Sequence, residues 1–266
     1  MENLLSYLIV GACAGLLSGL LGVGGGVVIV PALAIIFQNL AMPQAIVLHM
    51  AIGPSLATIV ITSLSAIYAH YRRGTIQWWT ARQLAPWLVA GSLIGAVIAT
   101  YLQSNTLKWI IGIFILLVAV QLALHVQPKP HRQLPGRAGM GLVGAGIGIL
   151  SALFGIGGGA ITVPFLLWRN VPMRQATAIS VVCGLAIALA GAAGFMLAGE
   201  EAVQLAAPFA RWSSGFVYWP AFAGIAATSV FMAPVGAWLA QVLPVRWLEI
   251  VFAVVLAVTA LKMLAL

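Results

Sequence analysis

Two stretches of this sequence place glycines where a membrane helix should run. Gly22-Val23-Gly24-Gly25-Gly26 and Gly155-Ile156-Gly157-Gly158-Gly159 interrupt the apolar runs 4–37 and 138–168. Glycine lacks a Cβ and reaches unusual backbone angles, so such stretches can unwind and let a solute approach the main chain. Unwound backbone inside a bilayer strands amides and carbonyls, which is tolerated only within protein or along a polar cavity. Val27 and Ala160 would then open new short helices. The first amides of a helix lack partners, and its dipole is positive at that end. Such a terminus suits an anion. The competing role is close helix packing through small residues. Repetition of the cluster, each time with a proline five residues after its last glycine, favours the first role. The clusters are not dinucleotide loops, because the third motif glycine would fall on Val27 or Ile29.

Hydroxyls accompany the glycines. Ser18 and Ser151 stand one turn before them, Ser55, Thr58, Thr62, Ser63 and Ser65 follow in the next apolar run, and Thr177 and Ser180 lie in its counterpart. The candidate substrate-binding set is Ser18, Gly24, Gly25, Gly26, Ser55, Thr58, Ser151, Gly157, Gly158, Gly159 and Ser180. A Ser or Thr in a membrane helix can instead bond back to its own carbonyls. Gln44 and Gln175 read as helix-entry residues. The chain contains no Asp, and Glu249 is the only acid near a span. Cation pathways through membranes use carboxylates. His49, His70, His125 and His131 show no metal-ligand spacing, and Cys13 and Cys183 sit in apolar runs as small hydrophobes. No metal or cofactor is expected, and no nucleophile, acid pair or triad points to an enzyme. Hydroxyls and amides without carboxylates suit a small oxyanion, since each charge-assisted hydrogen bond contributes about 1.5–3 kcal/mol. His70-Tyr71-Arg72-Arg73-Gly74 is either a membrane anchor or a collector of anions at one mouth.

The elements that must position these residues follow from composition. The chain has 266 residues, 63% hydrophobic and 6% charged, whereas soluble domains carry roughly 45–50% apolar and about 25% charged residues. This is the make-up of an all-α integral membrane protein. The net charge of +8 is scattered near the ends of apolar runs, which excludes nucleic acid as a partner and names the bilayer instead. Full spans are expected at 45–68, 84–102, 107–125, 175–198, 219–242 and 247–264. No cleavable leader is expected, because Glu2 stands where a positive charge should be.

The chain also repeats itself. Ser18 to Pro31 aligns without a gap on Ser151 to Pro164, sharing the serine, the four glycines, Val30 with Val163, and the proline. Downstream, Met42-Pro43-Gln44-Ala45 echoes Met173-Arg174-Gln175-Ala176. Two homologous halves, 1–126 and 138–266, are therefore expected, joined by a basic cytoplasmic linker, 127–137, with Lys129, His131, Arg132 and Arg137. Each half has three transmembrane helices plus one glycine-broken helix, re-entrant or discontinuous. If the broken segment crosses once, the halves are parallel and the basic residues split 8 to 4 between the two sides. If it is a re-entrant hairpin, the halves are inverted and the split is 9 to 3, with Lys108, Arg211 and Lys262 in the minority. The positive-inside rule favours inverted repeats, with the linker in the cytoplasm.

The paired Gly-x-Gly-Gly-Gly segments followed by Val-Pro resemble the sulfite exporter TauE/SafE family of membrane transporters, also grouped with toluene-sulfonate uptake permeases. Met42-Pro43-Gln44-Ala45, Ser55-Leu56-Ala57 with Thr62-Ser63, and Tyr68-Ala69-His70-Tyr71-Arg72-Arg73-Gly74 extend the likeness over essentially the whole chain. Pro54 departs from the Thr-Ser-Leu usual in the second span. The resemblance implies a multi-pass secondary transporter of the bacterial inner membrane. Its substrate would be a small sulfur oxyanion such as sulfite, a sulfonate or sulfoacetate, moved by alternating access. A passive anion channel is the alternative, and a homodimer stays open.

Overall fold

A backbone in lipid must satisfy its polar groups within its own segment, so the apolar runs become helices. A computed structural model describes residues 2–21, 24–124, 135–204, 207–242 and 245–265. Gly22, Val23 and the linker residues Lys129, His131 and Arg132 lie outside the described residues, as do His125 and the side chains of Arg246 and Glu249.

The helices run in order α1 (Glu2–Leu21), α2 (Gly26–Asn39), α3 (Val47–Arg72), α4 (Trp78–Tyr101), α5 (Ser104–Ala123), α6 (Arg137–Phe154), α7 (Gly159–Trp168) and α8 (Met173–Ala198). Two short helices, α9 (Glu200–Gln204) and α10 (Ala207–Ala210), and a hairpin of β1 (Ser213–Ser214) with β2 (Val217–Tyr218) lead to α11 (Trp219–Val242) and α12 (Val245–Ala265). Among the described residues six helices are long and apolar enough to cross a membrane, and α6 is one of them. The all-α membrane class therefore stands.

Packing fixes the directions. Gly91 faces Ala145 and Gly95 faces Ile149, so α4 and α6 run the same way. Gly11 faces Ile225 and Gly15 faces Ser229, so α1 and α11 also run together. Ser63 lies beside Gly184 and Leu56 beside Gly191, so α3 and α8 run oppositely. The short helices turn back. Gly25 lies against Ala14 of α1, while Phe37 near the end of α2 meets the ring of Tyr7 near the start of α1. Likewise α7 starts beside Ile187, midway along α8, and ends just before α8 begins. Although α6 has the length to cross, the carbonyl after it, on Gly155, accepts a hydrogen bond from Ser55 Oγ. Ser55 lies eight residues into α3, which places that turn about 12 Å inside the end of the bundle.

The charges sort by end. Arg72, Arg73, Arg82, Arg137, Arg169 and Arg174 stand where α3 and α7 finish and α4, α6 and α8 begin. Ser104 Oγ donates to the Ala45 carbonyl and Gly112 packs on Leu264, so Lys108 and Lys262 stand at the opposite, His49 end. The α8–α11 connection, with Glu200, Glu201 and Arg211, is at that end too, because its Phe216 stacks on His49. A buried cluster including Phe37, Ile52, Leu56 and Phe195 fills the half nearer His49.

Helices of this bundle touch through their main chains. A Cβ on Gly148 would strike the Leu88 carbonyl and come within 2.8 Å of the Ser92 nitrogen, while one on Gly146 in the same helix would meet open space. Gly148→Ala should therefore lower the thermal unfolding midpoint of the purified protein in detergent by several degrees. Gly146→Ala should leave it unchanged or raise it, since alanine in a helix is favoured over glycine by up to about 1 kcal/mol.

Candidate functional site

Each glycine turn is shaped by residues that only glycine tolerates easily. Gly155 ends α6 at φ 66° and Gly158 precedes α7 at φ 74°, both in the left-handed region. The Ile156 amide closes the end of α6 on the Ser151 carbonyl, and the Ile161 and Thr162 amides start α7 on the Gly158 carbonyl. In the other turn, the Val28 and Ile29 amides both bond to the Gly25 carbonyl, and Gly24 has φ 82°. Among the described residues the Gly159 and Ala160 amides have no carbonyl partner. The two turns touch. A Cβ on Gly26 would strike the Gly155 carbonyl and lie 2.9 Å from Ile156 Cα, and one on Gly24 would lie 3.8 Å from the Gly157 nitrogen. Two helix N-termini, of α2 and α7, thus meet near mid-height of α3 and α8.

A cavity of about 650 Å³ runs from this meeting point toward the Arg73 end. Its inner wall includes Ser18, Gly24, Gly157, Gly159, Ser63 and Gly184, and its mouth includes His70, Arg73, Met173 and Trp238. Thr62, Ser65, Thr177 and Ser180 add hydroxyls between, and among the described residues none that lines it is acidic. A water occupies about 30 Å³ in the liquid, so the space admits a small anion with part of its hydration shell. His70 Nδ1 lies 3.0 Å from Thr75 Oγ1, which fastens the mouth to the following turn.

The residues expected from sequence divide by place. Ser18, Gly24, Gly157, Gly159 and Ser180 line the cavity. Gly25 and Thr58 instead border a small apolar void behind it, where Thr58 Oγ1 donates to the Pro54 carbonyl at 2.8 Å. Gly26 is packed between the two turns. Ser55 is fully buried, and its 2.7 Å bond to the Gly155 carbonyl tethers the turn from another helix. Gly158 faces Ile187, with Ser151 Oγ and Thr162 Oγ1 on either side. Both of those hydroxyls are buried, and neither has a hydrogen-bond partner. Ser180 Oγ bonds to the Thr177 carbonyl of its own helix, as the competing reading of membrane serines holds.

Several lining residues were outside the set chosen from sequence. Ile59, Thr62, Ser63, Ala66, Ala69, His70 and Arg73 recur at three- and four-residue steps, so they share one face of α3. That periodicity was readable. The contribution of Ala233, Pro234 and Trp238 from α11 was not, because it depends on how α11 packs against α1 and α3.

Comparison with known proteins finds membrane transporters similar over nearly the whole chain. Residues 7–263 match the family described as Sulfite exporter TauE/SafE. A probable membrane transporter protein of Haemophilus influenzae is 34% identical over 263 residues, covering 98% of this chain and 97% of its own length. A probable membrane transporter protein of Methanocaldococcus jannaschii is 28% identical, with 97% of this chain and 94% of its own covered. No solved structure matches the chain.

The cavity makes a direct accessibility prediction. In a Cys13→Ala, Cys183→Ala background, Ser63→Cys and Thr177→Cys should react with a membrane-impermeant thiol reagent applied at the Arg73 face. Ser55→Cys, buried beneath the turn, should stay unlabelled by the same reagent.

Proposed function

The chain belongs to the sulfite exporter TauE/SafE family of membrane transporters, and from that premise we propose that it carries small sulfur-containing oxyanions such as sulfite or sulfonates by alternating access. One observation carries the anion reading. Gly159 at the start of α7, whose amide has no carbonyl partner, and several hydroxyls border a cavity whose described wall holds Arg73 and no carboxylate. Amides and hydroxyls replace part of the hydration shell of an oxyanion, and the helix dipole favours its charge. The candidate binding residues are Ser18, Gly24, Gly157, Gly159 and Ser180, joined by Thr62, Ser63 and Thr177. Gly25, Gly26, Ser55, Thr58, Ser151 and Gly158 belong to, hold or back the turns that carry Gly24, Gly157 and Gly159.

The halves are read as inverted repeats with re-entrant hairpins. Three features support this. Each short helix runs back along the helix before it. The pairs α1 with α11 and α4 with α6 exchange under a swap of halves, as do α3 with α11 and α4 with α8. Arg72, Arg73, Arg82, Arg137, Arg169 and Arg174 stand at one end and Arg211 at the other, and the positive-inside rule assigns the arginine-rich end to the cytoplasm of a bacterial inner membrane. In that orientation the cavity opens inward and the His49 end faces out. Inverted repeats around a fixed mid-membrane site are the architecture on which rocking-type alternating access operates.

Purified protein in liposomes should show saturable flux of labelled sulfite or a sulfonate, with counterflow. Flux equal to protein-free liposomes would remove the substrate assignment, and unsaturable conductance without counterflow would favour a channel. Thr62→Val or Ser63→Ala should raise KM about two- to tenfold, the worth of one net hydrogen bond of about 0.5–1.5 kcal/mol, with the unfolding midpoint unchanged.

A further inference from the structure

The two halves differ most in one connection. Between α3 and α4 the chain needs only 73–77, and the cavity opens beside it. Between α8 and α11 it spends 199–218 on two short helices and a hairpin. The spacing that takes Met42 to Met173 also takes His49 to Ser180, Met50 to Val181 and Gly53 to Gly184. Ser180, Val181 and Gly184 line the open cavity. Their counterparts His49, Met50 and Gly53 are buried.

Phe216 fills that place. Its ring stacks on His49 at 5.0 Å and stands edge-on to Phe195 at 6.2 Å. Its amide donates to the Phe195 carbonyl at 3.1 Å. A Cβ on Gly53 would strike the Phe216 carbonyl, whereas one on Gly184 would lie 2.6 Å from the Gly157 carbonyl. Gly215, at φ 53°, presses on the Met196 carbonyl. Phe216 is 3% exposed and Val217 fully buried, although both belong to a connection rather than a span.

We propose that the 213–218 hairpin is the outer gate of this protein, a plug seated in the second vestibule that repeat symmetry sets opposite the open cavity, with His49, Met50 and Gly53 as that vestibule's hidden wall. The inference rests on the alternating-access reading. Entry or release at the His49 end requires the hairpin to lift, breaking the Phe216–Phe195 main-chain hydrogen bond and withdrawing the Phe216 ring, the buried Val217 side chain and the Tyr218 ring from Phe37. The bonds within the hairpin, Ser213 with Tyr218 and Ser214 with Val217, can stay intact. Movable gates are drawn from segments that open locally without unfolding the rest.

The test uses the full chain in sealed liposomes of known orientation, with Cys13→Ala and Cys183→Ala. A membrane-impermeant thiol reagent is applied at the His49 face. Met50→Cys should react slowly with Phe216 present. Adding Phe216→Ala should speed labelling about tenfold or more, because truncation removes the ring contacts with His49 and Phe195 that help seat the hairpin. Val181→Cys, labelled from the Arg73 face, reports that the fold survives. If Phe216→Ala fails that control, Gly53→Ala, which pushes a methyl against the Phe216 carbonyl, serves instead and should also speed Met50→Cys labelling. Unchanged labelling of Met50→Cys in a variant that passes the control overturns the gate. The labelling needs no substrate, so protein that passes it yet carries no sulfite keeps the gate and loses the substrate assignment. Protein that carries sulfite with Met50→Cys unresponsive loses the gate alone.

Discussion

The structure is organised around a single constraint: peptide groups left unpaired far from water must find partners or a polar space. Two glycine turns create that problem at mid-height, and the rest of the bundle answers it. Ser55 reaches from α3 to satisfy the Gly155 carbonyl. The Ser151 and Gly158 carbonyls take amides across the turn. Gly159, whose amide finds no carbonyl partner, lines the cavity, while the unpartnered Ser151 and Thr162 hydroxyls stay buried beside Gly158. Glycine is required here because both turns adopt left-handed angles in contact with other main chains.

Electrostatics then narrows what such a cavity attracts. Helix N-termini give a partial positive charge with no ionisable group to titrate, and hydroxyls adapt to either role in a hydrogen bond. Among the described lining residues Arg73 stands at the mouth and none is acidic, so the charge they contribute is positive. Under the proposed function, an anion would be drawn in by long-range charge and then held by neutral donors, each weak enough to let it leave.

Much of this was legible in the sequence because hydropathy and glycine are strong signals. The spans expected at 175–198 and 219–242 correspond to Met173–Ala198 and Trp219–Val242, the first starting two residues earlier and the second with the same limits. Lipid leaves the backbone little alternative, so length and apolarity nearly determine a helix. Gly24, Gly25, Gly155, Gly157 and Gly158 fall between helices for the same reason that made the clusters conspicuous. Individual roles were harder to read. Ser55 and Ser63 look alike in sequence, yet one tethers a turn and the other faces the cavity, a difference set by rotation of α3 against α8. Phe216 gave no signal at all, because an aromatic in a polar connection is ordinary until its neighbours are known. Length alone also misleads for α6, which could cross but stops beside Ser55.

The interlocking of α1 with α11 and of α6 with α4 bears on how the protein is made. A chain is inserted into the bilayer from its N-terminus. When α1 and α2 enter, α11 is still unsynthesised, and so is the Gly155–Ile156 edge against which Gly26 packs. The first hairpin must wait in the membrane with its turn uncovered until most of the second half has arrived. The contacts that cover it come from α11 and from the turn after α6, so the packing of the N-terminal helices is completed only once most of the chain is in place.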